Sequence, residues 1–271
     1  MIDIHAHIFP QELAIRAADG IGSFYTLPNK VLTGTVDKLL REGEKAGISH
    51  HVVHGVAMNE KHIESVNNFL IETVRLHGDR ITAFGAMHPN YENVHTELRR
   101  MKDNGLSGVK IHPDMQNIYL DSGTSIRMFS QIAEMGMPAM VHMGDYRYSY
   151  SHPRQMEKLL NAVPNLVVIC AHLGGWSQWS QAWQALSERE QVWVDTSASL
   201  YYFKKDEGAE LIRKYNADRI MFGTDFPGWY PQIEVERFNA LPLTAEEKEK
   251  ISTKNAIAFL KKHCNVTLSS N

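Results

Sequence analysis

The stretch from Gly123 to Gly144, with the sequence GTSIRMFSQIAEMGMPAMVHMG, contains one complete helix–strand unit. Its first half predicts an amphipathic helix, because apolar residues recur at the spacing of one helix face. Gly136 follows at the place where a helix commonly ends in a left-handed residue. The apolar run Pro138–Met143 then predicts a strand with His142 near its end. The apolar helix face comprises Ile126, Phe129, Ile132 and Ala133.

The same unit recurs along the chain. From the second strand onward, the predicted strands begin 25–31 residues apart, about the length of one strand, one helix and a return loop. Eight such strands favour an α/β fold, a (β/α)8 TIM barrel that forms a single domain over residues 1–271. An open doubly wound sheet would normally have a glycine-rich phosphate loop after its first strand, and this sequence has none. The predicted strands are Ile2–Ile8, His50–Val56, Ile81–Met87, Ser107–His112, Pro138–Met143, Leu166–His172, Gln191–Thr196 and Arg219–Thr224.

The first predicted strand carries polar residues at every second position. Asp3, His5 and His7 alternate with apolar residues, which is typical of a strand with its polar groups on one face. Two histidines separated by one residue project to the same side of a strand, close enough to bind one divalent ion. The alternative is a pair of solvated histidines near a frayed N-terminus.

Further polar residues lie at the ends of other predicted strands. In a TIM barrel these ends, with the loops that follow them, build the active site. Each residue alone is compatible with a structural role, as a hydrogen-bonded core histidine or as a helix N-cap. Together they would bury many ionisable groups around one axis, which is unfavourable unless a cation binds them. They are Lys110, His112, His142, His172 and Asp225.

With these residues the sequence resembles the amidohydrolase superfamily, and more closely the amidohydrolase-related branch that includes aminocarboxymuconate-semialdehyde decarboxylase. The resemblance implies a metal ion held by four side chains, with His172 beside the reacting group. Those four are His5, His7, His142 and Asp225. The motifs that carry the resemblance are Asp3-x-His5-x-His7, His142 on strand five, Ala-His172-Leu-Gly-Gly, Phe-Gly-Thr-Asp225-Phe-Pro and Asn255-Ala256.

Lys110 leaves the number of metal ions open. Mononuclear members of this branch need no ligand on strand four, whereas dihydroorotase-like members carry a carbamylated lysine there that bridges two metals. Lys110 and His172 would supply a second site of that kind. The alternative is an uncarbamylated amine that pairs with a substrate carboxylate or a neighbouring acid. We expect the mononuclear site.

The expected cofactor is a divalent metal, with Zn²⁺ the first choice and Mn²⁺ or Fe²⁺ also compatible with nitrogen and oxygen ligands. Such an ion supplies hydroxide at neutral pH. The sequence therefore predicts a metal-dependent hydrolase of an amide, lactone or ester of a small organic acid, with His172 and Asp225 catalytic. The alternative is a lyase: a nonoxidative decarboxylase or a hydratase of a small unsaturated or aromatic acid. A barrel with a purely structural metal is a third possibility.

The loops after strands one, five, six and eight are rich in aromatic residues, which line pockets for planar or apolar groups. They span Phe9–Thr35, Asp145–His152, Trp176–Trp179 and Phe226–Tyr230. Arg147 is expected to bind a substrate carboxylate, the alternative being a solvated surface group. Trp176 is expected to form a pocket wall or to anchor packing. These loops would also allow a homodimer. Cys170, two residues before His172, is expected to fill an inner layer of the barrel.

Composition excludes several classes of partner. The 28 basic and 31 acidic residues give a net charge of −3, and no basic run suits a nucleic acid. No apolar run is long enough to span a membrane, and because the first predicted strand begins at residue 2 we do not expect a secretory signal. Cys170 and Cys264 are far apart in sequence, which favours a reducing compartment. A small-molecule substrate and a cytoplasmic location are the resulting expectations.

Overall fold

The computed structural model describes residues 1–27 and 30–268. Within these ranges eight parallel strands form one sheet, in which each strand pairs with the next along the chain. The predicted TIM barrel is therefore confirmed, and all eight predicted strands are present with shorter bounds, the last of them with two residues where six are predicted. The strands are β1 (Ile2–His7), β2 (His50–His54), β3 (Ile81–Ala86), β4 (Gly108–Ile111), β5 (Ala139–Val141), β6 (Val168–Cys170), β7 (Val192–Asp195) and β8 (Ile220–Met221).

Helices surround the sheet. In the described part of the chain they are α1 (Ala14–Tyr25), α2 (Val36–Lys45), α3 (Ile63–His77), α4 (Val94–Asp103), α5 (Pro113–Gln116), α6 (Gly123–Glu134), α7 (Pro153–Ala162), α8 (Trp179–Leu186), α9 (Lys205–Lys214), α10 (Pro231–Asn239), α11 (Ala245–Glu249) and α12 (Asn255–Cys264). Gly136 has the left-handed backbone expected after α6, with φ 65°. None of the helices described is both long and apolar enough to cross a membrane.

The barrel closes between its last and first strands. The backbone N–H of Ile4 donates to the carbonyl of Phe222 at 2.9 Å, and the N–H of Asp225 donates to the carbonyl of His5 at 2.8 Å. Below this seam, apolar side chains fill the amino end of the barrel, and α12 covers that end with Phe259 and Leu260. A second apolar layer lies between the strands and the outer helices. The chemistry is thereby confined to the carboxyl end.

Two side chains lie on the opposite face from the one that simple alternation predicts. The pairing of β1 with β2 shifts in register between Asp3 and Ala6, so Asp3 does not share a side with the histidines that follow it. Its carboxylate accepts hydrogen bonds from Thr224 and His51 instead. Cys170 belongs to the apolar layer under the outer helices. It does not share a face with His172, because β6 ends at Cys170 and His172 has a left-handed backbone with φ 62°.

The segment Phe9–Thr35 is not simply an aromatic loop. It contains α1, whose residues Ala14 and Ala18 are buried, and its positions 28 and 29 lie outside the described residues. Because α1 follows directly from β1, it lies beside the mouth of the barrel and contributes to the wall of the cavity there. This helix supplies side chains that the strand ends alone would not.

Candidate active site

Three of the predicted ligands meet at the carboxyl end of the barrel. The Nε2 atoms of His5 and His7 lie 3.2 Å apart. Oδ1 of Asp225 lies 3.5 Å from the first and 3.6 Å from the second. Asp225 lies four residues after the end of β8 and has a left-handed backbone, with φ 60°. The closing seam of the barrel therefore brings ligands from both ends of the chain to one point.

The hydrogen bonds of the two histidines show which ring nitrogen carries the proton. Nδ1 of His5 lies 3.0 Å from Oδ2 of Asp195, and Nδ1 of His7 lies 3.1 Å from the carbonyl oxygen of His54. Carboxylate and carbonyl oxygens only accept, so Nδ1 is protonated in both rings. The lone pairs of both rings are consequently on Nε2, and they face each other and the Asp225 carboxylate.

This arrangement fits a divalent cation. Two imidazole lone pairs and a carboxylate oxygen at these separations repel one another unless a positive charge lies among them. Burial, followed by the charge of Lys110, lowers the pKa of His5 well below its usual range and that of His7 to about 3, so both rings are neutral, as metal binding requires. The pairing of His5 with a carboxylate is the usual support for a metal-binding histidine.

Asp195, at the end of β7, supports the site and was missed in the sequence. Its carboxylate accepts hydrogen bonds from Nδ1 of His5, from the backbone N–H of His172 at 3.2 Å and from the N–H of Ser197 at 2.9 Å. The Ser197 hydroxyl donates to it as well. The available signal was its position, because Asp195 ends a predicted strand just as the other site residues do.

His142 and His172 form a second pair beside the first. Nδ1 of His172 lies 3.1 Å from the carbonyl oxygen of Ser197 and is therefore protonated, which leaves its Nε2 to accept the Nδ1–H of His142 at 2.9 Å. Nε2 of His142 carries the lone pair and has no hydrogen-bond partner among the residues described. It lies 3.7 Å from Oδ2 of Asp114. The ligand atoms of His5, His7 and Asp225 all lie within 4.8 Å of one another, and His142 is not part of that cluster.

Lys110 extends from β4 into the same space. Its Nζ lies 3.0 Å from Nε2 of His5, and the side chain is almost completely buried. Burial lowers its pKa to about 8. Burial likewise raises the pKa of Asp225 to about 7, an effect that the nearby Lys110 charge partly offsets. The site thus combines one basic and one acidic group whose pKa values are both close to neutrality.

A cavity of about 900 Å³ opens above these groups. Its wall is mainly apolar, and α1 contributes Phe24 and Tyr25 to it. Trp176 lines it, with its ring edge-to-face against that of Tyr25 at a centroid distance of 5.8 Å. Trp229, from the loop after β8, also faces the cavity. A space of this size and lining is suited to a small planar molecule.

Arg147 is not among the described residues that line this cavity. Its Nε and Nη2 donate to the buried carboxylate of Asp145 at 3.0 and 2.6 Å, and its Nη1 donates to the carbonyl of Phe24 at 2.5 Å. The guanidinium also lies over the rings of Phe24 and Tyr25, at 4.8 and 5.6 Å from their centroids. The structure therefore places Arg147 behind the cavity wall, where it connects α1 to the loop after β5.

Comparison with solved structures finds the same fold in enzymes of small acids. A 5-carboxyvanillate decarboxylase from Sphingomonas paucimobilis has 14% identity and a TM-score of 0.73, with 96% of this chain and 98% of that chain covered. A dihydroxybenzoic acid decarboxylase from Polaromonas sp. JS666, with bound manganese and 2-nitroresorcinol, has 16% identity, 96% coverage of both chains and a TM-score of 0.74. A probable 2-pyrone-4,6-dicarboxylic acid hydrolase from Acinetobacter baumannii, with bound citric acid, has 15% identity, 96% and 98% coverage and a TM-score of 0.69.

Sequence comparison gives the family. No curated protein matches the chain significantly. The profile of the Amidohydro_2 family, described as amidohydrolase, matches residues 2–262, which is nearly the whole chain. That match includes β1 to β8 and every candidate ligand named above. The chain therefore belongs to the amidohydrolase family.

Proposed function

We propose that this protein is a metal-dependent, nonoxidative decarboxylase of a small hydroxylated aromatic acid. The observation that carries the proposal is the cluster of His5, His7 and Asp225, whose ligand atoms face a cavity lined mainly by apolar and aromatic side chains. Such a cavity suits a planar ring better than a polar peptide or sugar. Similarity in fold to decarboxylases of benzoic acids supports the same choice.

The proposed ligands are His5, His7 and Asp225, with His142 as the fourth that the family resemblance implies. The unpartnered Nε2 of His142 supports its inclusion. When bound by these residues, a divalent ion would supply Lewis-acid chemistry to the carboxylate and hydroxyl oxygens of the substrate. Zn²⁺ and Mn²⁺ both suit this donor set, and the manganese-bound decarboxylase of similar fold supports testing Mn²⁺ first.

Three further roles, proton donation, orientation of a ligand and charge pairing with the substrate, are proposed for side chains of the site. Asp225, 22% exposed toward the cavity, is the proposed proton donor. As the bond from the ring to the carboxylate breaks and CO₂ leaves, the electron pair left on the ring carbon takes the proton of Asp225. Both ring nitrogens of His172 are already engaged, with Ser197 and His142, so its proposed task is to orient His142. Lys110 would provide a buried positive charge for the acidic substrate.

Hydrolysis of a lactone, amide or ester is the second candidate. The same residues would hold a metal ion that supplies activated water, and Asp225 would act as general base. The similar fold of a probable pyrone dicarboxylic acid hydrolase supports this alternative. The substrate would again be a small acid.

The test is an assay of protein loaded with Mn²⁺ or Zn²⁺ against hydroxybenzoates and against small lactones and esters. We expect CO₂ release that a chelator abolishes, and about one metal ion per chain by mass spectrometry. Activity only on lactones or esters would favour the hydrolase, whereas two tightly bound ions would assign Lys110 as a carbamylated bridge. His142→Ala should lose metal, and His50→Gln, a buried histidine that does not line the cavity, is its matched control.

A further inference from the structure

Tyr25 places a phenol group beside the candidate site. It is the last residue of α1, and its ring lines the cavity. Its oxygen lies 2.5 Å from Nε2 of His112, a residue that directly follows β4. The ring centroid of Tyr25 is 6.0 Å from that of His142. The phenol therefore lies beside His142, on the wall of the cavity to which α1 contributes.

His112 is held in one orientation and one protonation state. Its Nδ1 accepts the backbone N–H of Met115 at 3.3 Å, as the N-cap of α5, and its own N–H donates to Oε1 of Gln116 at 2.8 Å. The amide of Gln116 is in turn fixed by two backbone carbonyls, each at 2.9 Å. A backbone N–H can only donate, so Nδ1 of His112 carries a lone pair and the proton of the ring is on Nε2.

This protonation state decides the direction of the hydrogen bond to Tyr25. Because Nε2 of His112 carries the proton, it donates to the phenol oxygen, and the hydrogen of the phenol is not used in that contact. Across residues 1–27 and 30–268, no other hydrogen bond of the Tyr25 hydroxyl is found. The Tyr25 hydroxyl is thus a hydrogen-bond donor in the cavity wall that the described residues leave for a ligand.

The Tyr25 ring is held in place by two neighbouring side chains, Arg147 and Trp176. Arg147 donates to the carbonyl of the preceding residue, Phe24, and its guanidinium lies over the Tyr25 ring. Trp176 packs edge-to-face against the same ring. The donor is therefore preorganised, which reduces the entropy that its use in binding would cost.

From these contacts we infer that Tyr25 is a specificity-determining residue, which donates a hydrogen bond to a second oxygen of the substrate. The inference rests on the proposed function, in which the metal ion held by the ligand cluster would interact with the other oxygens of the substrate. It narrows the substrate class to acids with a further acceptor, such as a hydroxyl group on the other side of the carboxylate. An aromatic acid with one hydroxyl group would leave this donor unpaired, which lowers affinity.

The first experiment measures the protonation state of His112 by ¹⁵N NMR of the whole protein with labelled histidine, with His112→Asn to assign the signal. We expect the Nε2–H form over the neutral pH range. An Nδ1–H form would overturn the inference, because the phenol hydrogen would then be donated to His112. This result does not depend on which reaction the protein catalyses.

The second experiment compares binding of 2,6-dihydroxybenzoate and 2-hydroxybenzoate to the metal-loaded protein and to Tyr25→Phe. The variant should bind the dihydroxy acid about tenfold more weakly and the monohydroxy acid within about twofold of the original protein. An equal loss for both acids, or no loss for either, would overturn the inference. Failure of the original protein to bind either acid would instead contradict the proposed function, while the NMR result would still test the donor.

Discussion

The two halves of the barrel interior are built by the same eight strands but have opposite chemistry. The amino-terminal half is filled by apolar side chains, among them Ile4, Val52 and Phe84, and α12 covers it. The carboxyl-terminal half holds His5, Lys110 and the other polar groups around the cavity. On β4 the change occurs within two residues: Gly108 packs against Phe84 in the apolar half, and Lys110 lies in the polar half. Stability and chemistry are thus separated along each strand rather than between elements.

The largest expected effect is the loss of a ligand from the polar half. His5→Ala removes one of two converging Nε2 atoms, so metal content should fall. The value of kcat/KM should drop by more than about 100-fold, which exceeds the loss expected when a residue that only hydrogen-bonds to a ligand is mutated. Mass spectrometry and steady-state kinetics measure both. Unfolding by denaturant should remain cooperative. Full metal content in the variant would show that the polar half is not the metal site.

The opposite test removes packing from the apolar half. Phe84→Ala deletes a completely buried ring within the barrel and should lower the free energy of unfolding by about 3–5 kcal/mol. Denaturant unfolding measures this change. Metal content per folded chain should stay that of the original protein. A loss of metal at unchanged stability would show that the two halves are not independent.

Asp195→Asn tests the support behind the polar half. The variant keeps the shape of the side chain but removes the charge that fixes the proton on Nδ1 of His5. Metal affinity should weaken about 10- to 100-fold, as titration with the metal would measure. Asp206→Asn, in the exposed first turn of α9, is the matched control and should leave affinity unchanged. Equal affinities in the two variants would remove Asp195 from the site.

The smallest effect concerns His50, a histidine of the apolar half whose Nε2 lies 2.9 Å from Oγ1 of Thr82. Burial lowers its pKa to about 4. Below pH 6.5 His50 is protonated in the unfolded chain but stays neutral in the folded chain. The contribution of neutral His50 to the free energy of unfolding is therefore complete above pH 6.5 and is lost as the pH falls toward 4. His50→Gln should remove up to about 1.4 kcal/mol per pH unit of that slope.

Unfolding curves from pH 4 to 7 measure the slope for both proteins in the absence of metal. The other buried histidines are unchanged in the variant, so only the difference between the two slopes belongs to His50. Identical slopes would contradict the expected titration. A change in metal affinity would show that this histidine of the apolar half contributes to the site.

Much of this molecule could be predicted from the sequence, because strand spacing and strand ends carry most of the information. His5, His7 and Asp225 were expected at one end of the barrel, and they meet there. Asp3 was placed on the wrong face, since a register shift within β1 leaves no mark in the hydrophobic pattern. Tyr25 could not be identified, because its role depends on contacts with β4 and with Arg147 that no local pattern encodes.

Two of the ligands lie on the first strand and the third follows the last strand, so the order of synthesis affects when the site can form. Thr224 and Asp3, which hydrogen-bond across the closing seam, are separated by 221 residues. His5 and His7 therefore leave the ribosome long before Asp225, and the complete set of three exists only once β8 has been synthesised and has closed against β1. Metal loading would accordingly follow translation. Because the ion would bind only to the closed barrel, it would stabilise that state.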